Sequence, residues 1–388
     1  MKKLLAMVLA LVMTLSLAVS ANAAFKDVKD IDETYAESAA VLNGLGVFKG
    51  YEDGSFLPKN AITRAEVAAI VYRIYTGDVK DAYVKNYETY NKFDDMAGAG
   101  WAKGYIGYCA NAALVKGYPN GTFVPSGKVT GYEVLAMILR AVGYDQKNEF
   151  TGADWALHVA EIAERQGILD NVKGVDLNAA ATREVVAELL FRTVAYVPMV
   201  TYTAAFGYQN VSLNEKADNK LFAKNETLGT KNFELGSYEG YITYNAKKEA
   251  MVLTGKDADK KDVVITVADQ DVFDAGRYGH VWTTKTTTAI TDVFYDDTLL
   301  ATKYESWNTD WTTKNKTDFI ATKDDGVKYF LNGNGDAKAA DIEAALKVKG
   351  SEKALYDIDA DGDIDTVIVI NPIVDVMTAD YLAKNDKV

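Results

Sequence analysis

Residues 44–76 read GLGVFKGYEDGSFLPKNAITRAEVAAIVYRIYT: a glycine-rich turn, an aromatic-proline exit, a capped helix start and an apolar stripe. From Thr63 the order Thr-Arg-Ala-Glu makes a capping box, in which the Thr63 hydroxyl accepts from the Glu66 amide while the Glu66 carboxylate reaches back to the Thr63 amide. Val67, Ile70, Val71 and Ile74 then fall at helical spacing and predict one buried face. The stretch recurs as NAALVKGYPNGTFVPSGKVTGYEVLAMILRA, pairing Gly50/Gly117, Tyr51/Tyr118, Gly54/Gly121, Phe56/Phe123, Pro58/Pro125, Thr63/Thr130 and Glu66/Glu133 without a gap. Such self-similarity marks a repeat architecture. One helix pair of this size cannot cover its own apolar stripe, so the units must pack on one another.

Working outward, Phe25, Asp27 and Val28 form an F-x-D-V opening, followed by the G-Y-x-[DN]-G-[ST]-F-x-P turn and the I-T-R-A-E helix start. Together these resemble the surface-layer homology (SLH) module, which usually occurs in threes. The resemblance implies an α+β multidomain protein: an α-helical N-terminal bundle of three SLH modules, pseudo-threefold with grooves between neighbours, and a mainly β C-terminal part. It also implies attachment to a bacterial surface through an anionic secondary cell wall polysaccharide, in many cases one bearing pyruvate ketals. The expected divisions are a signal peptide at 1–23, module 1 at 24–79, module 2 with a lead-in linker at 80–144 and module 3 at 145–200. A β-rich region of one or two small domains fills 201–388. The motifs are specific in the first repeat, good in the second and degraded in the third, where Asp170-Asn171-Val172-Lys173-Gly174 replaces the Gly-Tyr turn.

Met1 to Ala23 has a basic start (Lys2, Lys3), an apolar run and a small-x-small end at Ala21-Asn22-Ala23, the pattern of a secretory signal. No later apolar run is long enough for a bilayer span, so the mature chain is expected without one. A net charge of −13 disfavours nucleic acid, whose affinity comes from clustered cations. It would also repel an anionic wall polymer at long range, so binding such a polymer requires locally placed cations. Cys109 is the only cysteine, leaving cores, and metal, to hold an exported fold.

Glu66 and Glu133 are explained by capping. Arg64 is not, because a cation in the first turn faces the positive end of the helix dipole, at about 0.3–1 kcal/mol. Two readings stand side by side: a guanidinium beside helix amides that holds a carboxylate such as a pyruvate ketal, or a tie to a nearby acid such as Asp27. The third repeat keeps the cation as Arg183 but has Val185 in the Glu66 position, whereas the second keeps Thr130 and Glu133 but has Gly131 for the arginine. Two grooves are thus expected to retain a guanidinium and one to be altered or vacant. The resemblance assigns polysaccharide binding to Arg64 and Arg183, and extends it to Asp27, Gly46, Gly50, Trp101 and Trp155. The two tryptophans stand at the family's aromatic position, where a ring stacks on sugar or fills the core. Lys49 and Lys116, just before each Gly-Tyr, are further cations. Residues 81–91, alternating tyrosine with charge, read as a short connecting helix.

Beyond Pro198 the helical period gives way to short β-rich runs at 238–244, 250–253, 263–267, 289–295, 328–331 and 366–370, with one helix at 339–346. Asp357, Asp359, Asp361, Asp363 and Asp365 alternate around Gly362 like the first part of a calcium loop, although Ile368 takes the place of the closing glutamate. Ca²⁺ is therefore the expected metal, an acidic hairpin tip without metal being the other reading. A weaker acidic stretch runs through Asn332, Asn334 and Asp336.

His158 and His280 lie in different halves, and no nucleophile elbow, zinc pair or phosphate loop appears. The expectation is a non-enzymatic wall-anchored protein that displays a β-rich surface module or self-assembles into a surface layer. The alternative is a wall-anchored carbohydrate-active enzyme or ligand-binding protein with its site in 201–388.

Overall fold

The computed structural model describes residues 25–90, 92–211, 225–245, 250–256, 262–267, 278–285, 288–295, 327–332, 337–345, 348, 352–356 and 366–370. The expected signal segment and the aspartates 357–365 lie outside them, as does most of the stretch from Asn332 to Asp336. Helices and antiparallel strand pairs make a mixed α+β protein, and the chain divides into two compact units.

The first unit takes in the described residues within 1–238, 256–268 and 281–294. Its helices are α1 (Glu33–Gly44), α2 (Arg64–Thr76), α3 (Lys103–Asn111), α4 (Gly131–Val142), α5 (Trp155–Arg165) and α6 (Arg183–Tyr196). The hairpin β1 (Val200–Thr203) and β2 (Gly207–Asn210) follows, and then α7 (Leu228–Phe233). Thr63 and Thr130 each close the capping box read from the sequence. Thr182 closes none, because Val185 offers no carboxylate, and its buried hydroxyl has no hydrogen-bond partner.

The three helix starts meet at one point. Ile62 N donates to Ala181 O (3.1 Å), Ala181 N to Val129 O (2.9 Å) and Val129 N to Ile62 O (3.2 Å), a closed ring of backbone hydrogen bonds. Around it Leu42, Ile62, Val71, Phe123, Leu135, Ile138, Leu189 and Leu190 are fully buried in one continuous core.

Two expectations differ from what is found. Of the segment 81–91, the described residues 81–90 form a 3-10 turn over Val84–Tyr87 and no connecting helix. Gly104 and Gly107 on α3 leave room for the Val84 and Tyr87 carbonyls to press against the helix, so packing holds the segment without a helical ladder of its own. The helical core also extends beyond residue 200: Leu228 and Leu235 are buried in it, and Trp282 lies edge-on to Phe191 while its indole N–H donates to Glu37 at 2.7 Å.

In the second unit, residues 240–245 of β3 (Gly236–Asn245) pair antiparallel with residues 250–255 of β4 (Ala250–Lys256). Of the short strands next in the chain, β5 (Asp262–Thr266) belongs to the first unit, and β6 (Tyr278–Thr283) and β7 (Phe294–Tyr295) each have residues in both. A three-stranded sheet follows, from β8 (Lys328–Leu331), β9 (Glu352–Tyr356) and β10 (Thr366–Ile370), with α8 (Ala339–Ala345) between β8 and β9 in sequence. The central β10 is parallel to β8 and antiparallel to β9. Tyr329, Ile342, Val367 and Val369 form its small core. The expected run 289–295 is a strand only at Phe294–Tyr295.

Candidate functional site

Each glycine-rich turn is held from behind by the aspartate of its opening motif. Asp27 accepts the amides of Phe56 (2.7 Å) and Leu57 (2.8 Å), and Asp95 accepts those of Phe123 (2.9 Å) and Val124 (2.7 Å). Leu57 and Val124 both take left-handed backbone, at φ 54° and 60°, which is costly for a branched side chain. The paired amides compensate. They also hold the Asp27 carboxyl below its usual range, outweighing burial, which acts to raise it. Gly50 is required by close approach, since a Cβ there would stand 2.9 Å from Ser55 O and 3.0 Å from the Phe25 ring. Gly46 adopts φ 71° just past α1.

The arginines lie inside the unit. Arg64 is 3% exposed: its Nη1 meets Glu133 Oε1 at 2.8 Å, its Nε donates to Phe123 O at 2.8 Å and its Nη2 to Lys116 O at 3.1 Å. The guanidinium carbon sits 4.6 Å from the Tyr118 ring centroid and 4.7 Å from that of Phe123. Arg183, also 3% exposed, repeats this against the first turn through Glu66 (3.2 Å), Phe56 O (2.6 Å), Lys49 O (3.3 Å) and the rings of Tyr51, Phe48 and Phe56. The partnering acids are locked in turn. Glu66 accepts the Tyr51 hydroxyl and Glu133 that of Tyr118, while both retain their capping bonds. Burial pushes the Glu66 carboxyl up, but bonds from Thr63, Tyr51 and the Arg183 charge outweigh it and leave the value lowered. Desolvation lowers the Arg183 guanidinium.

The carboxylate site expected at these helix starts is therefore filled from within the chain. The first-turn amides of α2 also have partners, Arg64 N giving to Gly127 O and Ala65 N to Pro125 O; in α6, Arg183 N gives to Asn60 O and Glu184 N to Pro58 O. The cation that appeared misplaced on the helix dipole is repaid by an acid, two carbonyls and aromatic faces from the neighbouring repeat. Asp27, the expected tie for Arg64, instead holds the turn exit. At the third seam Gly131 faces Leu177, whose Cδ2 would lie 2.6 Å from a Cβ built on the glycine, and Val185 replaces the acid. A side chain added at Gly131 would run into Leu177.

Sequence reading missed the pairs Arg64–Glu133 and Arg183–Glu66. The available signal was joint loss: the seam without the arginine, at Gly131, is also the seam without the glutamate, at Val185. Trp101 stands 62% exposed with its ring 5.7 Å from Tyr105, whereas Trp155 is partly buried against the core. Of the lysines before each Gly-Tyr, Lys49 is exposed and Lys116 half-buried, bonded to Asp81 and Asp145 respectively. Among the described residues no group of His, Cys, Asp and Glu is arranged to hold a metal, and no helix is long and apolar enough to cross a membrane.

The S-layer homology domain matches residues 24–68 and 92–135, the two segments that carry the complete turn and capping box. The chain is 32% identical over 149 residues to the Middle cell wall protein of Brevibacillus brevis, covering 37% of this chain and 14% of that protein. It is 31% identical over 147 residues to the Surface layer protein of Brevibacillus choshinensis, covering 37% and 13% respectively. With the Cellulosome-anchoring protein of Acetivibrio thermocellus it shares 32% identity over 173 residues, 43% of this chain and 36% of the other. The chain thus spans well under half the length of these relatives. With two S-layer homology segments and surface proteins as its relatives, this chain has a cell-surface, cell-wall-associated location, and the matches support attachment to the wall.

Proposed function

We propose that the N-terminal unit anchors the chain non-covalently to the bacterial cell wall by binding an anionic, pyruvylated secondary polysaccharide, and that residues 145–200 are a third, divergent module of the anchor. The observation that carries this reading is that both matched segments are built alike, turn for turn and cap for cap, and that one arginine contact recurs at two seams, Arg64 of the first segment with Glu133 of the second and Arg183 of α6 with Glu66 of the first. An anchor has to resist pulling, and a ring in which every segment bonds both others is suited to that load. The β-rich remainder is what the anchor displays at the surface. Co-sedimentation tests the proposal: the full chain pellets with wall sacculi and stays in solution with sacculi stripped of their polysaccharide by hydrofluoric acid. Equal pelleting with both would place the attachment elsewhere.

We also infer that Asp357, Asp359, Asp361, Asp363 and Asp365 bind Ca²⁺. The supporting observation is that Tyr356 and Thr366, the residues on either side of the acidic stretch, are paired neighbours in β9 and β10, so many carboxylates join two strand ends held together. A ligand that binds the folded state raises its stability. The melting midpoint of the second unit should fall when chelator is added, and an unchanged midpoint removes calcium from the account.

A further inference from the structure

Above each buried arginine lies a second, more open arrangement of charge. At the first turn Asp81 takes Arg73 through Nε at 2.8 Å and Nη2 at 3.0 Å, and also takes Lys49 Nζ at 3.0 Å, while the ammonium donates again to Val79 O at 2.8 Å. At the second turn Asp145 Oδ2 takes both Arg140 Nε and Lys116 Nζ at 2.7 Å, and the ammonium reaches Asn148 Oδ1 at 3.2 Å. In each, two cations share one directly bonded carboxylate. One further acid lies near each cluster and offsets part of its positive charge: Asp78, which accepts from Tyr72, at the first, and Glu149, which accepts from Tyr208, at the second. Arg73 and Arg140 are nearly enclosed, but the lysine side chains are 45% and 33% exposed. An ammonium has three N–H groups, and the described residues accept two from each lysine, so one donor per lysine is left for solvent or a ligand.

The lysines are also held in place. The Lys49 carbonyl accepts from Arg183 Nη2 and the Lys116 carbonyl from Arg64 Nη2, so the buried contacts fix the backbone that carries each lysine. The third helix lacks the arrangement. Arg192, at the matching place on α6, faces two acids, Asp170 at 3.0 Å and Glu188 at 3.8 Å, and among the described residues no lysine shares either of them.

We propose that Lys49 and Lys116 are two seats for carboxylate groups of a wall saccharide, with Arg64 and Arg183 acting as positioning residues behind them. The inference rests on the anchoring reading and deepens it: binding is carried by ammonium groups at two turns, and the helix-start guanidinium groups do not touch the ligand.

The test titrates the full chain with extracted acidic wall polysaccharide and with the same polymer after its carboxyl groups are reduced to alcohols. Wild type should prefer the carboxylated polymer. Lys49→Gln and Lys116→Gln should each lose about threefold in affinity and the double variant about tenfold. The double variant should bind both polymers alike, and Lys→Arg at both positions should restore the preference. That preference is a ratio which general weakening of the fold would not erase. If the double variant keeps it, the seats are overturned while the anchoring reading stands. If wild type binds neither polymer, the anchoring reading fails and the seats fail with it. Lysine-dependent binding to peptidoglycan stripped of polysaccharide would overturn the saccharide as ligand, in favour of peptide carboxylates.

Discussion

The seams at Arg64 and Arg183 and the seam at Gly131 join the same kind of helix start to its neighbour by opposite means. The first two bury a guanidinium among a carboxylate, carbonyls and rings; the third puts Leu177 against a bare backbone and needs no charge. The ionic parts have been lost together: no arginine at 131, no glutamate at 185, no Gly-Tyr turn at 170–174. A buried charge without its partner costs more than a clean apolar substitute. A seam of this design therefore keeps all its members or none.

Several substitutions would break or sharpen that contrast. Arg64→Ala leaves Glu133 facing an empty seat, and urea unfolding should show a loss of about 3–5 kcal/mol. Adding Glu133→Ala should cost much less than the two single losses combined, because the pair acts as a unit; strict additivity would mean the ion pair is incidental. Gly131→Arg, which restores the repeat motif on paper, drives a side chain into Leu177 and should cost about 1–3 kcal/mol. A melting point that rises would show that the third seam can still accept the ionic form.

Two glutamates then separate the seams by pH. The Glu66 carboxyl is held below its ordinary 4.5 by Thr63, Tyr51 and Arg183 against the pull of burial, so its contribution is present above that value and disappears as pH falls through the folded-state value. Glu66→Gln should destabilise by about 1–2 kcal/mol at neutral pH and by nothing in strong acid. Glu188 is the reverse case. Burial raises it, with Glu37 adding to the effect and Asn171, Ser38 and Arg192 only partly offsetting. Its cost appears as pH rises above 4.5 and is complete above the folded-state value. Glu188→Gln should therefore gain about 0.5–1 kcal/mol at neutral pH, vanishing in acid; a loss at neutral pH would assign the buried charge a structural role.

Much of the fold was legible because local chemistry and tertiary packing agree. Thr63 with Glu66 and Thr130 with Glu133 cap their helices as read, and the repeat spacing required units that pack on one another. The strand at Lys328–Leu331 and the helix beginning at Ala339 needed only period and breakers. What escaped was contact between repeats. Arg64 was misplaced for its own helix, and its remedy lay in Glu133 and the Lys116 carbonyl, which no helical or strand period connects to it. Likewise nothing local marks Leu57 and Val124 as left-handed, because the aspartates that compensate sit in the preceding motif. Trp282 shows the same limit: a β-region residue by composition, it joins the helical core because Phe191, Tyr196 and Glu37 offer an aromatic slot with an acceptor at its end.

The closed circuit among Ile62, Val129 and Ala181 has one further consequence. Each link gives one bond and takes one, so deleting any link strands a donor on one survivor and an acceptor on the other. A shortened chain ending before Ala181 would carry those two orphans at its centre, beside uncovered apolar helix faces. The cheapest cure is to borrow the missing arm from another copy, so truncation at this point should yield intertwined oligomers in place of a smaller monomer.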